Sequence, residues 1–133
     1  MIPKFRAWVK PDIFSNHLNG VIAEALPNFI YGNCLVLRED LEEDKQFEEI
    51  IDFLDIELMQ SRERVDKNNI EIFESDIVKN ISGGYLGIIV IEDGAFKVKA
   101  KHSTFELTDN RCSGMIVVGN IYENSELLEE VKQ

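Results

Sequence analysis

The stretch from Leu58 to Lys79, LMQSRERVDKNNIEIFESDIVK, decides how this chain folds. An apolar segment ends at its start and leads into a connection, Ser61 to Asn69, in which only Val65 is apolar. Three isoleucines between residues 70 and 77 then return the chain to a core. This order predicts the end of a strand, a wide turn and the entry into a new set of strands.

Short strands are predicted after this stretch. The apolar run Leu86 to Ile91, the pair Asp93-Gly94 and the alternating segment Phe96 to Ala100 together form a strong β-hairpin signal. Thr104 to Leu107 predicts a further strand, and residues 109–114 predict a turn. The apolar positions predict a core built from the following residues: Ile72, Ile77, Ile89, Ile91, Val98 and Ile116.

The last segments predict one strand and one helix. Met115 to Tyr122 reads as the final strand. Asn124 is a favourable N-cap for a closing helix, because its side-chain oxygen can accept a free backbone N–H of the first turn. The apolar stripe of that helix consists of Leu127, Leu128 and Val131.

The N-terminal third also contains strand patterns. Lys4 to Val9 alternates between polar and apolar residues and predicts a strand that Pro11 ends. Asn19-Gly20 is a turn signal. Residues 21–37 predict a short hairpin around Gly32-Asn33, with Pro27 ending its first apolar run.

Residues 39–57, EDLEEDKQFEEIIDFLDIE, are strongly acidic, with ten acidic residues and one lysine. Their apolar positions fall on one helical face, which predicts a helix from Glu43 to Leu54 and a strand from there to Gln60. Such a run is either a solvated face or an acidic surface that docks a basic protein or imitates a nucleic-acid backbone.

Length and composition limit the possible classes of protein. The chain has 133 residues, 44% hydrophobic and 29% charged, which fits one globular domain. No apolar run approaches the roughly 20 residues that a membrane-spanning helix needs. The start of the chain lacks the apolar core of a signal peptide, and we therefore expect a cytoplasmic protein.

The net charge of −11 is distributed unevenly. Residues 1–57 carry −7, residues 58–101 carry 0 and residues 102–133 carry −4. A phosphate backbone repels an acidic protein, so this charge disfavours direct binding to nucleic acid. A local basic patch is the alternative, and it would consist of Arg62, Arg64, Lys67, Lys97, Lys99 and Lys101.

The residue types that commonly catalyse reactions or bind metals do not form a recognisable site motif in this sequence. His17 and His102 lack a second metal ligand at a known spacing, and Cys34 and Cys112 read as reduced thiols. Glycines 83, 84 and 87 read as a turn without a phosphate-loop lysine. The remaining candidates are a turn or cation site at Asp66–Asn69 with Glu71, and a carboxylate group formed by Glu71, Glu74 and Asp76. We predict no enzyme, and no catalytic, cofactor-binding or metal-binding residue.

Five segments together resemble the YopX family of small proteins encoded by bacteriophages and prophages. They are IPKFRAW at 2–8, LMQ at 58–60, DKN at 66–68, EIFESDIVK at 71–79 and VVGNIYENSELLEE at 117–130. The family has Thr-Gly where this chain has Arg62-Glu63, and glycines where it has Asn69 and Ser75. Proline stands in the family at the position of Ser125.

The resemblance implies a mainly β protein. Its C-terminal half, residues 58–133, would form a small SH3-like barrel with a short closing helix. Its N-terminal portion, residues 1–57, would hold a strand and a helix and mediate self-association, within a single domain over residues 1–133. The function expected from it is that of a non-catalytic phage accessory protein that binds a host or phage protein. The alternative is a nucleic-acid-associated protein in phage DNA metabolism or regulation.

Overall fold

A computed structural model describes residues 4–11, 20–31, 34–40, 46–61 and 64–132. The chain divides into two compact units, an N-terminal unit, Lys4–Gln60, and a C-terminal unit that begins at Ser61. Each unit is built on one five-stranded antiparallel sheet, so the predicted mainly β class is confirmed. That the two units act as a single domain stays a prediction. No helix of the described segments is long and apolar enough to span a bilayer.

The sheet of the N-terminal unit contains strands from the whole length of that unit. They are β1 (Lys4–Val9), β2 (Val21–Tyr31), β3 (Cys34–Asp40), β4 (Gln46–Asp52) and β5 (Ile56–Ser61). Their order across the sheet is β4-β3-β2-β1-β5. The predicted strand at Lys4–Val9 is confirmed, and so is the hairpin around Gly32-Asn33, since β2 pairs with β3 from Glu24 to Tyr31.

This sheet has to curl, because its two edge strands are joined by a very short connection. β4 and β5 lie on opposite edges, yet only the single 3-10 turn Phe53–Asp55 joins them. In a flat sheet, four inter-strand spacings would separate the edges by about 19 Å. Three residues of 3-10 helix span only about 6 Å. The two edges therefore approach each other where the turn lies, although no described residues of β4 and β5 pair with each other.

One face of the curled sheet carries the core of the N-terminal unit. Ala7 and Val9 of β1 are fully buried, as the alternation of that strand predicts. Small side chains suit the inside of a tightly curved sheet because they leave room for the opposite strands. The buried cluster consists of Ala7, Val9, Ala23, Ala25, Leu35, Leu37, Ile51 and Ile56.

The predicted helix at Glu43–Leu54 is wrong. Residues 43–45 lie outside the described part of the chain, and the rest of the segment forms β4 and the 3-10 turn. β4 pairs with β3 over seven positions, with Ile50 opposite Val36 and Ile51 opposite Leu35. The strand therefore splits the two isoleucines between its faces, Ile51 inside at 1% exposure and Ile50 outside at 56%. Pairing with a neighbouring strand has overridden a helical spacing.

Pro27 does not end β2, as the sequence had led us to expect. The strand continues to Tyr31, but its pairing with β3 shifts between Leu26 and Ile30. Proline has no N–H to donate to a ladder, so the chain remains extended while the hydrogen bonding is interrupted.

The sheet of the C-terminal unit is a meander whose last strand returns beside its first. It contains β6 (Asp76–Asn80), β7 (Leu86–Glu92), β8 (Ala95–Ala100), β9 (Thr104–Glu106) and β10 (Met115–Asn120), in the order β10-β6-β7-β8-β9. A short helix, α1 (Asp109–Cys112), occupies the predicted turn before β10, and α2 (Ser125–Lys132) closes the chain. The described residues of β9 and β10 do not pair, so closure into an SH3-like barrel is not confirmed.

Asp93-Gly94 forms the predicted tight hairpin. Glu92 pairs with Ala95, and the two residues between them have φ angles of 53° and 76°. Two consecutive positive φ angles are the geometry of a type I′ turn, whose twist matches that of the flanking strands.

Most of the predicted core of the C-terminal unit is confirmed. Ile72, Ile77, Ile89 and Val98 are buried, whereas Ile91 and Ile116 are only half-buried. The buried cluster also contains residues outside the predicted list: Val78, Phe96, Leu107, Cys112 and Met115.

Asn124 has a different role from the predicted one. Its side-chain oxygen accepts the backbone N–H of Asn120 at 3.1 Å, and only its backbone carbonyl accepts a helical N–H, that of Leu127. Asn124 therefore joins the end of β10 to the start of α2. A side chain at Gly119 would collide with it, since a Cβ there would lie 2.4 Å from the Asn124 oxygen.

Asn69 and Ser75 keep the backbone conformation that glycine would adopt at their positions. Their φ angles are 65° and 73°. Asparagine tolerates this region, but serine pays a steric cost there. Ser75 is held by the sheet on both sides, because its N–H donates to the carbonyl of Ile89 and its carbonyl accepts the N–H of Ile121.

Ser75→Gly is expected to stabilise the protein by about 0.5–1 kcal/mol, since relief of the left-handed strain exceeds the added entropy of the unfolded chain. Urea unfolding followed by circular dichroism measures this change. Ser75→Ala is the control, because alanine keeps the strain and should give no gain. A glycine variant less stable than the alanine variant would contradict the prediction.

Ile77→Asp should abolish cooperative unfolding, because residue 77 is 0% exposed and burying a carboxylate costs several kcal/mol. Ile70→Asp is the matched control in the same unit, since Ile70 is 52% exposed. Thermal melts should show a folded control and no transition for the core variant. A normal melt for Ile77→Asp would show that residue 77 is not part of the core.

Candidate functional site

A buried carboxylate organises the turn that follows the N-terminal unit. Asp66 is 5% exposed and accepts three backbone N–H groups. One oxygen accepts from Asn68 at 2.8 Å and Ile70 at 2.9 Å, and the other accepts from Val117 of β10 at 2.8 Å. The next residue, Lys67, donates its backbone N–H to the carbonyl of Met115 at 3.0 Å. The turn thus forms hydrogen bonds with backbone groups on the outer edge of β10, as an additional strand would.

The same turn forms one wall of an open groove of about 540 Å³. The second wall is the β6–β7 turn, which contributes Asn80 and Tyr85, and the third is α1, which contributes Arg111. Phe105 of β9 also lines the groove. A backbone hydrogen bond of 2.9 Å from Ile81 to the carbonyl of Gly114 joins the second wall to the third.

Tyr85 presents an aromatic ring to this groove. The ring lies directly on Gly83, where an added Cβ would approach two ring carbons to 2.8 Å. The side chain is 47% exposed. The side-chain oxygen of Asn80 holds the turn by accepting the N–H of Gly83 at 2.7 Å and the hydroxyl of Ser82 at 3.0 Å. The ring therefore contacts its own turn and is partly exposed beside the groove.

Arg111 is fixed in the groove by two contacts. Its guanidinium carbon lies 4.9 Å from the centre of the Phe105 ring, and Nη1 donates to the carbonyl of Glu106 at 2.6 Å. Such stacking and hydrogen bonding restrict the side chain while leaving its remaining donors available.

The groove is electropositive although the protein is acidic. Lys67 and Arg111 line it, and none of its described lining residues is an aspartate or glutamate. In the described part of the chain the ammonium of Lys67 has no carboxylate partner. An anion in the groove would therefore meet two cations and no opposing carboxylate.

Two lysines of the predicted basic patch pair with carboxylates. Lys97 pairs with Asp93 at 3.6 Å and Lys99 with Glu92 at 4.0 Å. Lys101 is exposed beyond the end of β8. Exposed pairs of this kind are worth little to stability, but they do neutralise the cations locally.

Two further members of the proposed patch lie near the polar connection. Arg64 donates to the carbonyl of Leu107 and lies 3.4 Å from a carboxylate oxygen of Asp109. Arg62 lies outside the described residues. Of the five predicted cations that the structure describes, Lys67 lines the groove.

Among the described thiols and histidines, none lines the groove. Cys34 is a half-buried free thiol on β3, and Cys112 is a buried free thiol on α1. Burial raises the pKa of the Cys112 thiol, which keeps it protonated and poorly nucleophilic. His102 is exposed between β8 and β9, and His17 lies outside the described residues.

Two of the predicted carboxylate candidates, Asp66 and Asp76, accept backbone N–H groups. Asp66–Asn69 is a hydrogen-bonded turn, as expected. Asp76 is buried and accepts the N–H of Phe73 at 2.8 Å, while Glu71 and Glu74 are half-buried. Among the described residues, no group of three or more His, Cys, Asp or Glu side chains has the arrangement of a metal site.

A second candidate surface lies in the N-terminal unit, at the 3-10 turn between β4 and β5. Leu54 in this turn is 79% exposed. Its N–H donates to the Asp52 carboxylate at 2.8 Å, and its carbonyl accepts the Lys10 ammonium at 2.9 Å. The backbone N–H of Lys10 also donates to the carbonyl of Asp55 at 2.9 Å. The turn is therefore held in place by β1 while its leucine projects from it.

The sequence indicated Lys67 of the groove, as a member of the predicted basic patch, but not the aromatic residues and Arg111 beside it. Tyr85, Phe105 and Arg111 lie in separate segments that only the sheet order brings together. Leu54 was assigned to the apolar face of a helix.

Two of three comparisons relate this chain to known proteins. The family model described as YopX protein matches residues 4–129. Protein EF1440 from Enterococcus faecalis has a solved structure similar to this one, with a TM-score of 0.63 and 29% sequence identity. That similarity covers 96% of this chain and 99% of EF1440. A comparison with curated protein sequences finds no match.

Proposed function

The chain belongs to the YopX family, and on that premise we propose that it is a non-catalytic phage or prophage accessory protein that binds a protein partner. The observation that carries this proposal is the exposed leucine at the acidic turn Phe53–Asp55. Leu54, at 79% exposure, is among the most exposed large apolar side chains described.

The turn presents an exposed apolar side chain on a rigid backbone, which suits it to anchor a partner. The Leu54 N–H donates to the Asp52 carboxylate and the Leu54 carbonyl accepts from the Lys10 ammonium, so little conformational entropy remains to be lost when a partner binds. An apolar side chain on a rigid support can fill a pocket of a partner, and burying a leucine contributes about 1.5–3 kcal/mol. Ile50 on β4 and Leu58 on β5 are also exposed and extend the apolar surface.

The charges around the turn define the partner. Asp52, Asp55 and Glu57 flank Leu54 in sequence, and residues 39–57 hold ten acidic residues. The complementary partner surface is an apolar pocket with a basic rim. Charge complementarity of this kind raises the association rate and falls with rising salt.

The absence of a catalytic role is part of the proposal. The described titratable groups that are buried, such as Asp66 and Asp76, accept backbone N–H groups, which supports a structural role for them.

The finer SH3-like class of the C-terminal unit is proposed as well. Its support is the strand order β10-β6-β7-β8-β9, with one helical turn before the last strand.

Self-association is a further part of the proposal, and its salt dependence separates it from binding to a basic protein. Two copies that meet through the same acidic surface would repel each other, so this contact would strengthen as salt rises. A contact with a basic partner would weaken under the same conditions.

A nucleic-acid-associated role is the second candidate, and the groove, whose described lining has no carboxylate, is the observation that favours it.

Leu54→Ala is expected to weaken partner binding about tenfold or more, the equivalent of one buried leucine side chain. The protein is used to capture partners from a bacterial host lysate at low salt. The captured protein is then purified. The dissociation constants of its complexes with the wild-type protein and with Leu54→Ala are measured calorimetrically.

Ile70→Ala is the matched control, because Ile70 is also an exposed apolar residue but lies in the C-terminal unit. It should leave the dissociation constant unchanged, and raising the salt should weaken the wild-type complex. If every captured protein binds Leu54→Ala as tightly as wild type, the turn is not the docking surface.

A further inference from the structure

We infer that the groove of the C-terminal unit is a binding site for a free nucleotide, a ligand that combines a phosphate with an aromatic ring. This inference goes beyond the proposed protein-binding function, because it concerns a different unit and different residues. Either inference can fail without the other.

The size of the groove fits a ligand of this kind. Its volume of about 540 Å³ lies within the range of small-molecule sites, roughly 300–1,000 Å³. Its walls come from the Asp66 turn, the β6–β7 turn and α1, and backbone hydrogen bonds join these elements. The site is therefore formed before a ligand arrives.

The charge of the groove selects an anion. The whole chain has 25 acidic and 14 basic residues, yet the two charged residues described in the lining are Lys67 and Arg111. Arg111 is held against Phe105 and still has donors to offer, and a guanidinium can bind two phosphate oxygens at once. Lys67 adds a second positive charge to the lining.

The aromatic part of the ligand has a stacking partner. The Tyr85 ring lies against Gly83 and lines the groove, and the residue is 47% exposed. Stacking of a nucleobase on an aromatic side chain is worth about 1–3 kcal/mol and tolerates different bases.

Amide groups of the groove can contact the edge of the base. The side-chain oxygen of Asn80 is used inside its own turn, but its NH₂ group has no hydrogen-bond partner among the described residues. Asn110 at the start of α1 is exposed and also lines the groove. These donors and acceptors would add contacts that a bare phosphate cannot make.

The overall charge favours a free nucleotide over a strand. Each phosphate of a strand beyond the groove would approach a protein of net charge −11. Glu106 and Asp109 are exposed next to groove residues in the chain, so additional phosphates would meet carboxylates. A single nucleotide places its phosphate at the two cations and extends no further.

Isothermal titration calorimetry at low salt tests this inference on the full chain. The probes are AMP, UMP, adenosine, inorganic phosphate and an oligothymidylate of eight nucleotides. Saturable binding of the mononucleotides is expected. Adenosine and inorganic phosphate should each bind at least about tenfold more weakly than AMP, because each lacks one half of the contacts. The oligonucleotide should bind no more tightly than a mononucleotide.

Lys67→Gln and Tyr85→Leu should each weaken nucleotide binding about tenfold. Lys101→Gln, an exposed lysine outside the groove, is the control and should change nothing. Thermal melts check that each variant is folded. If a groove variant does not fold, amide chemical shifts of Ser82 and Gly84 in the wild-type protein serve instead, since AMP should shift both.

Three results would overturn the inference. Inorganic phosphate that binds as tightly as AMP would reduce the site to an anion site without base recognition. An oligonucleotide that binds more tightly than the mononucleotides would indicate a strand-binding surface. The absence of any saturable binding, or of any shift at Ser82 and Gly84, would exclude a nucleotide in this groove.

Discussion

The C-terminal unit depends on one carboxylate, that of Asp66. It is almost completely buried, and a buried carboxylate is tolerable only when hydrogen bonds replace its lost hydration. The three N–H groups of Asn68, Ile70 and Val117 provide them. Two of these groups close the turn and the third belongs to β10. A single side chain therefore fixes the local turn and joins it to a strand 51 residues further along the chain.

The residues that identify the family are explained by this construction. DKN at 66–68 makes the turn, and Ser75 accepts the N–H of Ile121 while donating to Ile89. Asn120 accepts the N–H groups of Tyr122 and Glu123, and Asn124 accepts that of Asn120. All these residues satisfy backbone groups where the chain changes direction. The recognisable motifs therefore specify the fold, and the groove arises as a consequence, because the Asp66 turn also places Lys67 on its wall.

Local chemistry was predictable from the sequence, and tertiary arrangement was not. The Asp93-Gly94 hairpin depends on two adjacent residues and their φ angles, so it could be recognised directly. The segment around Ile50 and Ile51 has a helical spacing, but pairing with β3 decided its structure, and no local signal reports that pairing. The groove combines Lys67, Tyr85 and Arg111 from three separate turns, which become neighbours only through the order of the strands.

Amide hydrogen exchange, measured by NMR in Asp66→Ala and compared with Glu74→Ala, tests most directly whether the Asp66 carboxylate holds the C-terminal unit together. Glu74 is a half-buried acidic residue of the same unit and serves as the control. The account predicts that the amides of Ile70 and Val117 lose their protection in Asp66→Ala and keep it in Glu74→Ala. Unchanged protection of the Val117 amide in Asp66→Ala would contradict it.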